Sequence, residues 1–461
     1  MTVELKIPIT LGEIFEAVGK KAPVAGAGSR IGNALVKRIV TDSRDAVPGD
    51  LFIAIRGECA NGNDHIEEAH AKGAFTLSDE KGCSDIFVEG VYPALGDIAA
   101  FYKSRLKNLV ATVGITGSIG KTTTKNFIST LLRRRARVHA TRGNENNLLG
   151  VPLTIFSSPP DTELLIIEAG MNQAGELSEI SRIIKPTAAL ITNVGTAHIG
   201  NFGTRGAIAK AKLELFESAS EGASLLIPYG EPLLSGASAL TVAEGYEERA
   251  DFSIVRTMSA NVAGGFFARG ERLFSFSTGI TAGHLLPLLG FSFATCLRLG
   301  MSPQEISFAA RGLSDKETRL RTFNIGALTV IDDAYNSSLE AVRGALQYLE
   351  RIDMRPRIAL LGDILELGEM AEAIHYEVGR LAAKCVDALY VCGEHRDAVT
   401  RGAFDNGLQK TKIRALDDKS PEGIASIIKD EITLGALLIK GSHKTGLHRV
   451  SELLLNTEDK K

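Results

Sequence analysis

Residues 114–125, GITGSIGKTTTK, place three glycines and two lysines among four threonines directly after the apolar run LVATV. That composition suits the holding of a phosphate chain. Glycines let backbone N–H groups turn toward an anion, a helix N-terminus adds about half a positive charge, and a lysine reaches the terminal phosphates. The usable core is Gly117-Ser118-x-Gly120-Lys121-Thr122-Thr123, in which the Thr122 hydroxyl is placed to hold Mg²⁺. Position 115 is Ile, so the strict eight-residue phosphate-loop pattern is not met in full. A ligand-free βα turn is the competing reading. The context favours nucleotide: residues 109–113 are β-branched enough for a buried strand, and NFISTLL has the apolar spacing of a helix.

Further along, Glu168 closes the run ELLIIEAG and His198 follows the run AALITNV, both on the C-terminal side of an expected strand. A carboxylate there would face the same crevice as Thr122 and could complete an oxygen-rich magnesium site; an acid closing a strand at the surface is the alternative. The segment GAIAKAKLELFESA carries Lys210, Lys212, Glu214 and Glu217, which by themselves read as a solvated helix face with an i,i+4 pair between Lys210 and Glu214. Arg319 precedes a strand ending in Asp332 and Asp333, with Tyr335 and Asn336 before the next helix. Arginine offers a fixed charge to phosphate and aspartate can accept from a ribose hydroxyl, while helix capping by Asn336 or Ser337 competes.

The elements that must position these groups are those of an α/β protein. At 461 residues the chain has room for two to four domains, and a hydrophobic fraction of 44% supplies their cores. Residues 1–107 mix short strands and turns and end in the helix LGDIAAFYKSRLK; residues 108–315 alternate strands and helices as parallel βαβ units do, then turn to antiparallel strands over ADFSIVRTMSANVAGGFFARGERLFSFST; residues 316–461 repeat the α/β alternation. The expected architecture is therefore three α/β blocks, with ligands where strands end. A net charge of −3 argues against a sequence-independent grip on nucleic acid. Five cysteines without zinc-like spacing, Cys59, Cys83, Cys296, Cys385 and Cys392, read as reduced structural thiols. No leader pattern or membrane-length apolar run is seen, so a soluble, cytoplasmic protein without membrane insertion is expected.

The ordered set TGSIGKTTTK, GNENNLLGVPLTIF, IEAGMNQAGELSEI, TNVGTAHIGNFG, AKAKLELF, IDDAYNSS, LLGDILELGE and LIKGSH strongly resembles the Mur ligases over nearly the whole chain. Within that family the resemblance is greatest to the ligases that add D-alanyl-D-alanine to UDP-N-acetylmuramoyl-tripeptide in peptidoglycan synthesis. The resemblance implies three domains: a small UDP-substrate-binding α/β domain (1–107), a central P-loop parallel-sheet ATPase domain (108–315) and a Rossmann-like C-terminal domain (316–461). It implies ATP and Mg²⁺ as cofactors, an acyl-phosphate intermediate and ADP as product, in a monomer. By motif position Lys121 and Thr122 go to the phosphates and first metal, Glu168 to Mg²⁺, and His198 to a second Mg²⁺. Lys212 matches the family's carbamoylated lysine, which displaces the bland reading of its helix. Gly117, Ser118, Gly120, Thr123, Arg319, Asp333 and Asn336 take the nucleotide. Ser43 and Arg44 in TDSR face the UDP-sugar, Asn144, Asn146 and Asn147 in GNENN the muramoyl peptide, and Ser442 the amine. Four positions depart from the family pattern: His284 is followed by Leu285 and Leu288 rather than asparagines, Leu339 replaces a proline, and His443 replaces an arginine. A ligase of the same chemistry acting on another acceptor, as in pseudomurein or folylpolyglutamate synthesis, and a nucleotide-binding homologue that no longer ligates are the alternatives.

Overall fold

The computed structural model describes residues 1–21, 31–57, 60–257, 261–418 and 420–455; Cys59 and the polar tail 456–461 lie outside them. Among the described residues the strands form three sheets, of five, nine and six strands. The chain divides into two compact units: Met1–Thr116 with Leu132–Ala189 and Leu213–Leu225, and Gly117–Leu131 with Leu190–Lys212 and Leu226–Lys461. No described helix is long and apolar enough to cross a membrane.

In the first unit, Thr2–Thr10, Leu35–Val40, Leu51–Ile53, Phe75–Ser78 and Ile86–Phe87 form a sheet in that order, antiparallel at the first pair and parallel thereafter. The helix Val91–Ser104 buries Leu95, Ile98 and Tyr102, and the Tyr102 hydroxyl accepts from the Ile7 N–H at 3.0 Å. Ala111–Thr116 is buried at every position, as a parallel strand covered on both faces must be. It pairs with Leu164–Glu168, which also pairs with Val138–Ala140, both parallel. The three-residue strand is too short to show as a sequence pattern, and it was not expected between the loop strand and the strand of Glu168.

In the second unit the helix Lys121–Leu132 follows the glycine loop. Ser224–Pro228, Leu240–Glu244 and Phe252–Arg256 pair in parallel, then Ala263–Ala268 and Glu271–Ser277 continue antiparallel, as the sequence indicated. Phe252, Phe266, Phe274, Phe276 and Phe293 of the helix Leu286–Arg298 form their shared aromatic core. The last sheet runs Arg321–Ile325, Ala327–Asp332, Leu434–Lys440, Arg357–Leu361, Ala388–Val391, Ile413–Ala415. Its first pair is antiparallel and the rest parallel, the form of a Rossmann-like sheet with one reversed edge. Asp333, Gly362 and Gly441 leave its three central strands at their C-terminal ends, where open α/β sheets receive ligands.

Candidate functional site

The glycine loop is shaped by what lies against it. Gly117 has φ 151°, and a Cβ there would sit 1.9 Å from Thr192 Oγ1. Gly120 has φ 83°, and its Cβ would meet Leu288 Cδ2 at 2.6 Å, which gives one of the family-departing leucines a packing role. Both positions demand glycine for conformation and for space. Asn193, which the sequence did not single out, braces the loop: its Oδ1 accepts from the N–H of Ser118 at 3.1 Å and of Ile119 at 3.0 Å, and its Nδ2 donates to Ile119 O at 3.0 Å. Thr192 Oγ1 donates to the same carbonyl at 2.6 Å, and Ser118 Oγ accepts from Gly195 N–H at 2.8 Å. Ser118 thus holds the loop from within, and Thr123 is buried in the first turn of the helix. Lys121 Nζ donates to Gly117 O at 2.6 Å, curling over the loop it is to serve. Gly117→Ala is expected to lower the melting temperature and to weaken nucleotide binding, because Thr192 must give way at a cost of about 1–3 kcal/mol. Unchanged melting and unchanged nucleotide titration in that variant would dismiss the steric argument.

Arg319 reaches this loop. Its Nη2 donates to Thr122 Oγ1, and Asn126 of the loop helix donates to Glu317 O at 2.9 Å, tying the arginine's own segment down. The guanidinium lies 4.1 Å from the centroid of Tyr335, a cation–π contact that orients it. Asp333, the ribose candidate, pairs with Lys440 at 2.9 Å. Lys440 is 1% exposed and also donates to Asp333 O at 3.2 Å and Asn336 O at 2.9 Å, so a buried ammonium fixes the whole turn. Asn336 accepts from Ser337 N–H at 2.9 Å, and the helix Leu339–Glu350 is capped by Ser338, whose hydroxyl accepts from Ala341 N–H at 3.3 Å. Capping by Asn336 or Ser337 is therefore corrected to Ser338. His284 packs edge-on to Tyr348 with ring centroids 6.2 Å apart.

Lys212 corrects a second expectation. The helix Arg205–Leu213 leaves Lys210 exposed, but Lys212 is 2% exposed beside Ile208 and Ala211 rather than on a solvated face. No hydrogen bond or ion pair meets its ammonium among the described residues. Burial first, and then repulsion by Lys121, hold its pKa well below that of an ordinary lysine. That shift favours the neutral, nucleophilic form of the amine. His198 sits at φ 64° ahead of the short helix Ile199–Phe202, its Nδ1 against the Glu366 carboxylate.

In the first unit Glu168 is 1% exposed, and its Oε1 accepts from Asn146 Nδ2 at 2.8 Å. Two sequence candidates are thus brought together there. Asn147 Oδ1 instead accepts from the N–H of Leu149 at 3.2 Å and Gly150 at 2.8 Å, closing the turn into the helix Gly150–Phe156. Asn144 is exposed. Ser43 is buried and donates to Glu68 Oε2 at 2.7 Å, while exposed Arg44 pairs with Asp42 at 2.6 Å. In the second unit Ser442 Oγ accepts from Leu365 N–H at 3.1 Å, so its hydroxyl serves a turn. Cys83, Cys296, Cys385 and Cys392 are free thiols, as expected.

Magnesium usually takes one or two carboxylates and the substrate's phosphates rather than a cage of protein ligands. Among the described residues no three His, Cys, Asp or Glu side chains cluster as a metal site. Taken one by one, the Thr122 hydroxyl, the His198 imidazole and a Lys212 amine able to become a carbamate in the second unit, and the Glu168 carboxylate in the first, are donor types that such a cation accepts.

The chain matches the family model of the Mur ligase middle domain over residues 115–265 and that of the Mur ligase glutamate ligase domain over 318–442. It is 32% identical over 447 residues to UDP-N-acetylmuramoyl-tripeptide–D-alanyl-D-alanine ligase of Synechocystis, covering 91% of this chain and 92% of the relative. It is 29% identical over 443 residues to the Bacillus subtilis protein of the same name, covering 92% and 94%. Among solved structures, MurF from Acinetobacter baumannii superposes with a TM-score of 0.84 at 26% identity, covering 98% of this chain and 100% of that one. MurF from Thermotoga maritima in complex with ADP does so with a TM-score of 0.79 at 27% identity, covering 92% and 98%.

Proposed function

The chain belongs to the Mur ligase family, and from that membership we propose that it joins D-alanyl-D-alanine to UDP-N-acetylmuramoyl-tripeptide, converting ATP to ADP and phosphate. The observation that carries the reading is the contact of Arg319 with Thr122, which sets a fixed cation from the 318–442 match at the mouth of the phosphate loop. In the reaction the tripeptide carboxylate takes the terminal phosphoryl group of ATP. The acyl phosphate is then attacked by the dipeptide amine, and phosphate leaves.

Both first reactants are anions, so the barrier falls only if preorganised cations meet them. Lys121 and the N–H groups of Gly117 and Gly120, in a loop that Ser118 helps to shape, would take the β- and γ-phosphates, and Arg319 the charge of the transferring group. Asp333 and Asn336 would hold the ribose. Thr122, Glu168, His198 and carbamoylated Lys212 would hold magnesium. The metal, when bound, neutralises phosphate charge and orients the phosphoryl group. Ser43, Arg44, Asn144, Asn146 and Asn147 would line the UDP-peptide side, and Ser442 the amine side, chiefly by shaping backbone, given how Ser442 and Asn147 spend their side chains. The division into domains 1–107, 108–315 and 316–461 accords with matches that fall inside the last two. ATP and a nucleotide-linked peptide as substrates favour a cytoplasmic place of action.

Phosphate release tests the reading. It is expected only with ATP, Mg²⁺, UDP-N-acetylmuramoyl-tripeptide and D-alanyl-D-alanine together, matched by the amide product. No release with the full set, or equal release without the dipeptide, would overturn it.

A further inference from the structure

His198 and Glu366 both hold a backbone conformation that non-glycine residues seldom adopt, with φ of 64° and 63°. Their side chains meet, His198 Nδ1 against Glu366 Oε2. Their backbones meet as well. Gly200 N–H donates to Glu366 O at 3.0 Å, and a Cβ on Gly200 would lie 2.7 Å from Gly368 N, so this approach admits only glycine. A second carboxylate grips the same segment: Thr196 donates through its N–H to Glu340 Oε1 at 3.0 Å and through its hydroxyl to Glu340 Oε2 at 3.1 Å. The loop carrying His198 is thus shaped by two glutamates that lie 144 and more residues away along the chain.

A carboxylate at Nδ1 selects one form of a neutral imidazole. With its proton on Nδ1, the nitrogen that faces the carboxylate, the ring leaves the Nε2 lone pair free. The strained φ values mark where the fold pays for that arrangement.

We propose that Glu366 is a positioning residue for the magnesium site, fixing His198 in the Nδ1–H tautomer so that Nε2 is free for the cation or for a water of its shell. The inference rests on the assignment of His198 to magnesium. It assigns Glu366 no contact with substrate.

Two readouts test it without turnover. Long-range ¹H–¹⁵N spectra of the metal-free protein should show the Nδ1–H tautomer for His198, lost in Glu366→Ala and retained in Glu366→Gln, whose amide oxygen still accepts. Mn²⁺ binding in the presence of ADP, followed by electron paramagnetic resonance, should weaken at least about tenfold in Glu366→Ala, the scale of losing a carboxylate behind a ligating histidine. In a His198→Ala background Glu366→Ala should weaken it no further. Unaltered tautomer and Mn²⁺ affinity in Glu366→Ala would overturn the proposal, as would equal weakening in both backgrounds. If His198→Ala alone leaves Mn²⁺ binding intact, the assignment of His198 fails and Glu366 falls with it. Glu366→Gln, which keeps the volume and the acceptor, separates tautomer control from misfolding.

Discussion

Lys212→Met is expected to yield a folded protein that binds ATP and turns over at least about 1000-fold more slowly, the upper scale for removing one preorganised electrostatic group. The methionine keeps the buried stem and removes only an amine that has no partner among the described residues, so stability should hold. A bare ammonium has no lone pair for magnesium, whereas a carbamate is an anionic oxygen ligand of the kind that cation prefers. The carbamate forms when a neutral amine attacks carbon dioxide, and burial shifts this amine toward that form. Lys212→Ala instead leaves a cavity, and short carboxylic acids at high concentration should restore part of its activity by entering it. They should not rescue Lys212→Met. Lys210→Ala, on the exposed side of the same helix, should be mild. In the unmodified protein, stripped of carbon dioxide, the lowered pKa of Lys212 means that unfolding takes up protons there, so stability should rise with pH toward the ordinary lysine pKa of about 10.4. Equal losses in the Lys210 and Lys212 variants, or mass spectra and density showing an unmodified lysine in metal-loaded active protein, would end the carbamate assignment.

Lys121→Ala is expected to lower kcat by at least about 100-fold while the protein melts near wild type. The ammonium already lies over the loop, 2.6 Å from Gly117 O, and needs only to exchange that carbonyl for phosphate oxygens whose charge grows during transfer. Because the stabilised charge is greater in the transition state than in bound ATP, the loss should fall mainly on kcat rather than on the KM for ATP. Turnover near wild type would remove the phosphate-loop assignment, and a pure KM effect would confine Lys121 to ground-state binding.

The glycine loop was legible from residues 114–125 because a phosphate cradle needs its glycines, lysine and hydroxyl consecutive in the chain. The parallel strands ending at Glu168 and Asp332 were legible as apolar runs for the same local reason. Lys212 was misplaced by physics alone, although its spacing held the clue. Ile208, Lys212 and Leu215 follow at i, i+4 and i+7, an apolar stripe with one lysine in it. Resemblance to the family found that lysine before its burial did. The cap of the helix Leu339–Glu350 moved by one residue, to Ser338, since three neighbouring residues could each cap and only packing chooses among them.

By itself the sequence determined the chemistry this chain can attempt: an ordered series of motifs, each a few residues long, that places it in a ligase family and supplies a cation, a hydroxyl and carboxylates for phosphoryl transfer. Which groups stand behind those residues was decided by the tertiary structure. Asn193 bracing the loop, Lys440 beneath Asp333, Tyr335 under Arg319 and Glu366 behind His198 leave no periodic trace. The reason is one of range: helix and strand patterns report neighbours within a turn or a pleat, whereas each of these pairs is joined only when segments well separated along the chain are folded against one another.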